Sequence, residues 1–313
     1  MQITIQRLMQ EKAKSFELTL VAGHSGRGRL ITEPELHRPG LAFAGFLEIF
    51  TFARIQVLGN TETSYLASLS AGERSARIAQ IFRFNMPCFI VTGGNPPPVE
   101  MIEMANISGV PLMSSPLPTT RFNAMMNFWL ESEFAERTTA HGVFVDVFGE
   151  GVLITGGSGI GKSECGLELI ERGHRLVADD VVLLKRLGRN ILMGSTTSAL
   201  HQHHMEVRGL GIIDVEMLFG IGAVREEKRV SLVVELVRWT PDMDVDRLGI
   251  DEDKAHYLDV PVRKFRVPVD SGRNTSILVE VAALQHRLLE RGHNPAEILN
   301  QRLLAEMRKG PTS

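Results

Sequence analysis

The chain has 313 residues, more than a single hydrophobic core usually serves, so two domains are expected. A net charge of -3, with 43% apolar and 23% charged residues, gives no global electrostatic case for nucleic acid or an anionic membrane. Two cysteines, Cys88 and Cys165, exclude a disulfide framework and a thiolate metal site, and suit a reducing cytosol.

The opening "MQITIQRLMQEKAKSF" lacks the apolar core and small-residue cleavage site of a signal peptide, so a cytoplasmic location is expected. "FELTLVAG" (Phe16 to Gly23) reads as a strand. "GLAFAGFLEIFTFARIQVL" (Gly40 to Leu58) is the most apolar window, but it carries Glu48 and Arg54, and a membrane span needs about 20 largely uncharged residues. A buried amphipathic helix is the expectation there. "PCFIVTG" (Pro87 to Gly93) gives a second strand, followed by a turn and a helix stopping at Gly109, then a short strand at "VPLMSSP". A helix from Thr119 to about Arg137 places Phe122, Met125, Met126 and Trp129 at helical spacing. Its polar end, "ESEFAERTTA", has the composition of a linker, and we put the domain boundary there, with 1–134 on one side and 135–313 on the other.

Beyond it, "HGVFVDVFGEGVLITGG" holds two strand signals around Gly149-Glu150-Gly151, the spacing of a tight hairpin. Further strands read at "HRLVADDVVLLKRL", "RVSLVVELV" and "RKFRVPV". Two helices close the chain, Thr275 to Arg291 and Asn294 to Arg308. The first carries Leu278, Val281, Leu284, Leu288 and Leu289 on one face.

The strongest signal lies between the hairpin and the next helix. Gly156, Gly157, Ser158, Gly159, Ile160, Gly161, Lys162 and Ser163 satisfy G-x-x-x-x-G-K-[ST]. Backbone N–H groups of such a loop wrap phosphate oxygens, Lys162 reaches the β/γ oxygens, and the Ser163 hydroxyl ligates Mg²⁺. The helix "SECGLELIERG" aims its positive end at the anion and stops at Gly173. A glycine turn beside a solvated lysine is the bland alternative, and the flanking strand and helix argue against it.

Soon after, "LVADD" brings Asp179 and Asp180 to a strand end. Adjacent strand residues point to opposite faces, so one carboxylate can contact Mg²⁺ or its waters while the other accepts a proton. Read alone, Asp-Asp is also an ordinary exposed strand terminus. His201, His203 and His204 lack the i, i+4 pairing of zinc enzymes. Glu206 and Arg208 flank one strand position and can face one site. His141 and Arg247, taken singly, read as a turn residue and a surface arginine.

Together, "HGVFVDVFGEGVLITGGSGIGKSE", "RLVADDVV", "MEVRGLGIIDV", "YLDVPVRKFRVPVDSGRN" and "DRLGID" resemble the HPr kinase/phosphorylase family. "RIQVLGNTETSYLASL" and "PLMSSPLPTTRF" extend the resemblance over nearly the whole chain. It implies an α/β protein with two parts. The first is an N-terminal α/β domain with a structural or assembly role. The second is a P-loop kinase domain that shares its phosphate-binding arrangement with phosphoenolpyruvate carboxykinases. It further implies ATP-dependent phosphorylation of a serine on the phosphocarrier HPr, and removal of that phosphate by inorganic phosphate to give pyrophosphate.

Carried over by position, the resemblance makes His141, Lys162, Asp180 and Arg247 active residues, and Ser163 and Glu206 ligands of Mg²⁺ or Mn²⁺. It ties Met205 to Asp214 to both reactions. Pro268, Val269, Asp270, Ser271, Gly272 and Arg273 are tied to dephosphorylation. It also implies a homo-oligomer, typically a hexamer, with neither nucleic acid nor membrane as partner. Gly157 departs from the pattern, since relatives often carry an acidic residue there. Two rival readings remain at this stage: a nucleotide-sensing switch without phosphotransfer, and a carboxykinase-like kinase of small molecules.

Overall fold

The computed structural model of the chain describes residues 3–198, 202–240, 253–270, 274–295 and 298–299. It divides into two compact units, Met1–Ala135 and Glu136–Ser313.

The first unit is built on β1 (Thr19–Ala22), β2 (Leu36–His37), β3 (Ile55–Leu58), β4 (Phe89–Val91) and β5 (Leu112–Ser114), in the spatial order β1-β5-β4-β3-β2. Only β1 runs antiparallel to its neighbour. Alternation along the strands feeds two cores. Val57, Ile90 and Met113 join Phe122, Met126 and Trp129 on one face, while Phe89, Val91 and Leu112 join Ile78, Met101 and Ala105 on the other.

Two expectations are corrected here. The apolar window at Gly40 is not one helix: only Gly40–Phe43 is helical, Gly45 leaves the helical region at φ 103°, and Ile55–Leu58 is β3. A parallel strand between two neighbours is buried on both faces, so its apolar run lacks the alternation that marks an exposed strand. The helix from Thr119 ends at Phe134, and Arg137 and Thr138, read as linker, open β6 (Arg137–His141).

The second unit continues with β7 (Val143–Val147), β8 (Glu150–Gly156), α1 (Lys162–Glu171), β9 (Arg175–Ala178), β10 (Val181–Leu187) and β11 (Ile191–Thr196). It is completed by β12 (His204–Val207), β13 (Gly211–Asp214), β14 (Glu227–Arg238), β15 (Lys254–Tyr257), β16 (Val260–Val269) and α2 (Thr275–Glu290). A sheet in the order β9-β7-β8-β14-β11-β10-β6 carries β16 against β14 and β15 against β16. At its centre β8, β14 and β16 are parallel, so Gly156, Arg238 and Val269 lie at one end of the sheet.

The hairpin between β7 and β8 turns on Phe148 and Gly149, both at positive φ (52° and 88°), since Val147 pairs directly with Glu150. Val145, Val152, Ile154 and Leu232 face α1 and α2, whereas Phe144, Leu153 and Val233 fill the opposite core.

On α2 the face that packs on the sheet is not the one richest in large apolar residues. Ser276, Val279, Glu280, Ala282, Ala283 and His286 are buried, while Val281, Leu284 and Leu288 are exposed. Small residues let the helix approach the sheet closely. Glu280 enters because Arg172 donates to it twice (2.8 and 2.7 Å) and His174 meets it at 2.9 Å. The second closing helix lies mostly outside the described residues.

Candidate active site

β8 delivers the glycine loop to the carboxyl end of the parallel strands, where open α/β sheets place their ligands. Gly156 (φ 144°), Gly159 (φ 75°) and Gly161 (φ 98°) adopt conformations that favour glycine. At Gly156 space also forbids a side chain, because a Cβ there would sit 2.5 Å from the Leu236 carbonyl oxygen. Gly157 differs. It has no positive φ, and a Cβ would meet nothing within 4 Å.

α1 starts at Lys162, with Gly161 as its cap, so its free N–H groups face the loop's interior. The Lys162 ammonium lies across the loop, donating to the carbonyl oxygens of Gly156 (3.2 Å) and Gly157 (3.1 Å).

The strand that was read through "LVADDVV" breaks at the two aspartates. β9 ends at Ala178, β10 begins at Val181, and Asp180 is left-handed at φ 64°. Opposite strand faces therefore do not separate the two carboxylates; a turn does. Asp179 Oδ1 accepts from the Ser163 hydroxyl (3.2 Å), and its Oδ2 accepts from the Glu206 N–H (3.1 Å). Burial pushes the Asp179 carboxyl above the usual carboxylate range, against the hydrogen bonds from Glu206, Ser163 and the Asp180 N–H. The Asp180 carbonyl accepts from Gly142 N–H (3.0 Å), which fixes the turn against the β6–β7 junction.

A cleft of about 190 Å³ at the start of α1 is lined by Lys162, Ser163, Asp179, Asp180, Glu206 and Arg208. On the other side of the loop a larger cleft, about 740 Å³, is lined by His141, Gly156, Gly157, Tyr257 and Arg238. Ser158 borders both. Pro268 and Val269 pair with Val237 and Arg238, which puts the start of the segment ending in Asp270 at the rim of the larger cleft. Arg247, Ser271, Gly272 and Arg273 lie outside the described residues. His203 is held by Glu216 at 2.5 Å.

Family comparison agrees in both halves. Residues 132–303 match the HPr Serine kinase C-terminal domain, and residues 3–130 match the HPr Serine kinase N terminus. The chain belongs to the HPr serine kinase family. An HPr kinase/phosphorylase of Geobacter sulfurreducens is 43% identical over 309 residues, covering 99% of this chain and 97% of the relative. One from Chloroherpeton thalassium is 46% identical over 275 residues, 88% of this chain and 81% of the relative. A solved structure named as the Hpr(Ser) kinase/phosphatase from Coxiella burnetii is 38% identical over 49% of this chain and 99% of its own, with a TM-score of 0.45.

Asp179 makes contacts that the sequence pattern does not announce. Read as one of two equivalent candidates, it joins Ser163 and the backbone of Glu206, two segments far apart in sequence. Only the contact between β12 and the α1 start brings these groups together. Among the described residues no helix is long and apolar enough to cross a membrane.

Proposed function

We propose that this chain uses ATP to phosphorylate a serine of an HPr-type phosphocarrier, and removes that phosphate with inorganic phosphate, in the cytoplasm. The observation that carries the reading is the single cleft in which Lys162, Ser163, Asp179, Asp180 and Glu206 meet at the mouth of the glycine loop. The relatives named for both activities, matched over 97% and 81% of their own length, support it.

The Ser163 hydroxyl and the carboxylates of Glu206 and Asp179 form a hard-oxygen donor set, the kind that suits Mg²⁺ or Mn²⁺. Ser163 and Glu206 would hold the ion, and Asp179 would orient both. When bound, the ion supplies charge neutralisation at the β- and γ-phosphates.

In the forward direction, loop N–H groups and Lys162 hold the β/γ oxygens, with the nucleoside reaching toward the larger cleft past Ser158. The substrate serine oxygen attacks the γ-phosphorus, the bond from that phosphorus to the β-bridging oxygen breaks, and Asp180 takes the serine proton. ADP leaves. In the reverse direction an oxygen of inorganic phosphate attacks the phosphoserine phosphorus. The phosphorus–serine oxygen bond breaks, Asp180 returns a proton to the serine oxygen, and pyrophosphate forms. His141, Arg247 and the segment from Pro268 to Arg273 complete the proposed machinery, the last serving the phosphate-dependent direction.

The deciding experiment incubates the protein with γ-labelled ATP, Mg²⁺ and a panel of phosphocarriers, then supplies inorganic phosphate to the labelled product. Label on a carrier serine, released afterwards as pyrophosphate, is expected. Nucleotide binding without phosphoprotein would instead indicate a switch, and ATP turnover without any protein acceptor a small-molecule kinase.

A further inference from the structure

The histidines at the start of β12 have no part in the proposed chemistry, yet one of them is tied to the segment that carries Glu206. His203 Nδ1 stands 2.5 Å from Glu216 Oε2. A carboxylate oxygen has no proton to give, so the ring donates from Nδ1. His201 lies outside the described residues. His204 differs, since it is exposed, donates to the Gln202 carbonyl at 2.8 Å, and approaches Asp214 no closer than 4.0 Å.

The hairpin explains why the His203 contact matters. β12 and β13 are four residues each and, among the described residues, pair only with one another, apart from the large sheet. A lone two-stranded hairpin is marginal in water and needs packing to hold its place. Met205 and Val207 supply that packing on one face, buried in the same core as Leu169 and Val215. Alternation turns Glu206 to the other face, toward the cleft it shares with Ser163 and Asp179. At the turn end Gly209 and Gly211 are at positive φ (87° and 88°), and Leu210 and Ile212 are exposed. That end gets little support from packing.

The open end is therefore where the hairpin must be fixed. His204 pairs with Asp214, and one residue further out the Val215 N–H donates to the His203 carbonyl at 2.8 Å. His203 adopts φ 65°, a left-handed conformation that histidine and asparagine enter more readily than most residues. Val215 is buried and begins a short helix, Val215–Phe219, which Asp214 caps by accepting from the Met217 N–H at 2.9 Å. Glu216 thus belongs to an anchored segment, and its bond to His203 ties that segment to the chain three residues before Glu206. A shift of β12 would carry away both the Glu206 carboxylate and its N–H, which donates to Asp179 at 3.1 Å.

We propose that His203 and Glu216 are a positioning pair, whose hydrogen bond closes the open end of the hairpin and sets where the Glu206 carboxylate stands relative to Ser163. The inference rests on the reading of Glu206 as a ligand of the divalent ion. Neither side chain lines the cleft, and both act through β12.

The test titrates Mn²⁺ into the full chain and follows water-proton relaxation, which reads binding without turnover. Glu216→Ala, at a partly exposed helical position, and His203→Ala should each weaken Mn²⁺ by about tenfold, the scale for partners that orient a metal ligand. The double variant should bind no more weakly than either single one, because both remove the same bond. His203→Asn keeps an N–H donor on a short side chain and tolerates the left-handed backbone, so it should recover to within about threefold of the parent. His204→Ala should bind like the parent. Glu206→Gln distinguishes the two ways of failing. If it leaves Mn²⁺ affinity unchanged, Glu206 is not a ligand and the positioning role falls with it. If it weakens binding while Glu216→Ala and His203→Ala bind like the parent, the ligand reading stands and the pair has no positioning role. Additive losses in the double variant, or a His203→Asn variant as weak as His203→Ala, would also overturn the pairing.

Discussion

At the scale of single residues, the proposed base is unusually open to a clean test. Asp180 sits at φ 64°, a region that asparagine tolerates as readily as aspartate. Asp180→Asn therefore removes the ionisable carboxylate and leaves the turn in place. The expected result is a loss of at least about a hundredfold in both phosphorylation and phosphorolysis, at an unchanged melting temperature. A loss in one direction only would assign the proton to another group. The loop glycines divide in a similar way. Gly159 is held at positive φ with Arg208 3.3 Å from where a Cβ would stand, whereas Gly157 has room and no positive φ. Gly157→Asp should fold normally and keep nucleotide affinity within a few fold, while Gly159→Val should weaken nucleotide binding severely. Measuring ATP-analogue affinity for both variants checks the distinction.

At the scale of elements, the contact between α1 and α2 turns on one carboxylate. Glu280 is buried against Arg172 and His174, and hydrogen bonding from Arg172, more than from His174, lowers its pKa. A depressed carboxyl pKa stabilises the fold above the unfolded value near 4.3, and that contribution disappears as pH falls through the folded value. Glu280→Gln should cost about 2 kcal/mol at pH 7, within the range for hydrogen bonds to charged groups. The gap between variant and parent should narrow as the pH drops below about 4. Urea unfolding at the two pH values measures it, and a constant gap would show that charge is not what holds the helices together.

This same contact explains which face of α2 is buried. Counting large apolar residues selects Val281, Leu284 and Leu288, all exposed, because nothing in the local sequence announces that Glu280 has two partners more than a hundred positions earlier. The window at Gly40 failed for a related reason. Burial on both faces of β3 removes the alternation on which strand reading depends. The glycine loop and the β7–β8 hairpin were readable because glycine placement at positive φ is a local requirement. Asp179 lay between these cases: the residue was visible, but its bonds to Ser163 and Glu206 come from tertiary structure.

At the scale of the whole molecule, the division of labour between the units follows from where the chemistry lies. Each unit has its own buried cores, and every described residue of the proposed site belongs to Glu136–Ser313. A truncated chain should therefore retain nucleotide binding and phosphotransfer, provided the cut respects the start of β6. The cut must keep Glu136, whose carbonyl accepts from the Arg186 N–H at 3.0 Å and whose carboxylate pairs with the Arg186 guanidinium at 2.8 Å. Removing residues before 136 should leave the labelled-phosphate assay with activity within about tenfold of the full chain. Starting instead at residue 142 deletes β6, exposes the edge of β10 that it covers, and removes His141 from the rim of the larger cleft. That shorter form should aggregate or lose activity. If the form starting at residue 136 binds nucleotide but transfers no phosphate, the first unit contributes to catalysis rather than to structure or assembly, and the site drawn from the second unit alone is incomplete.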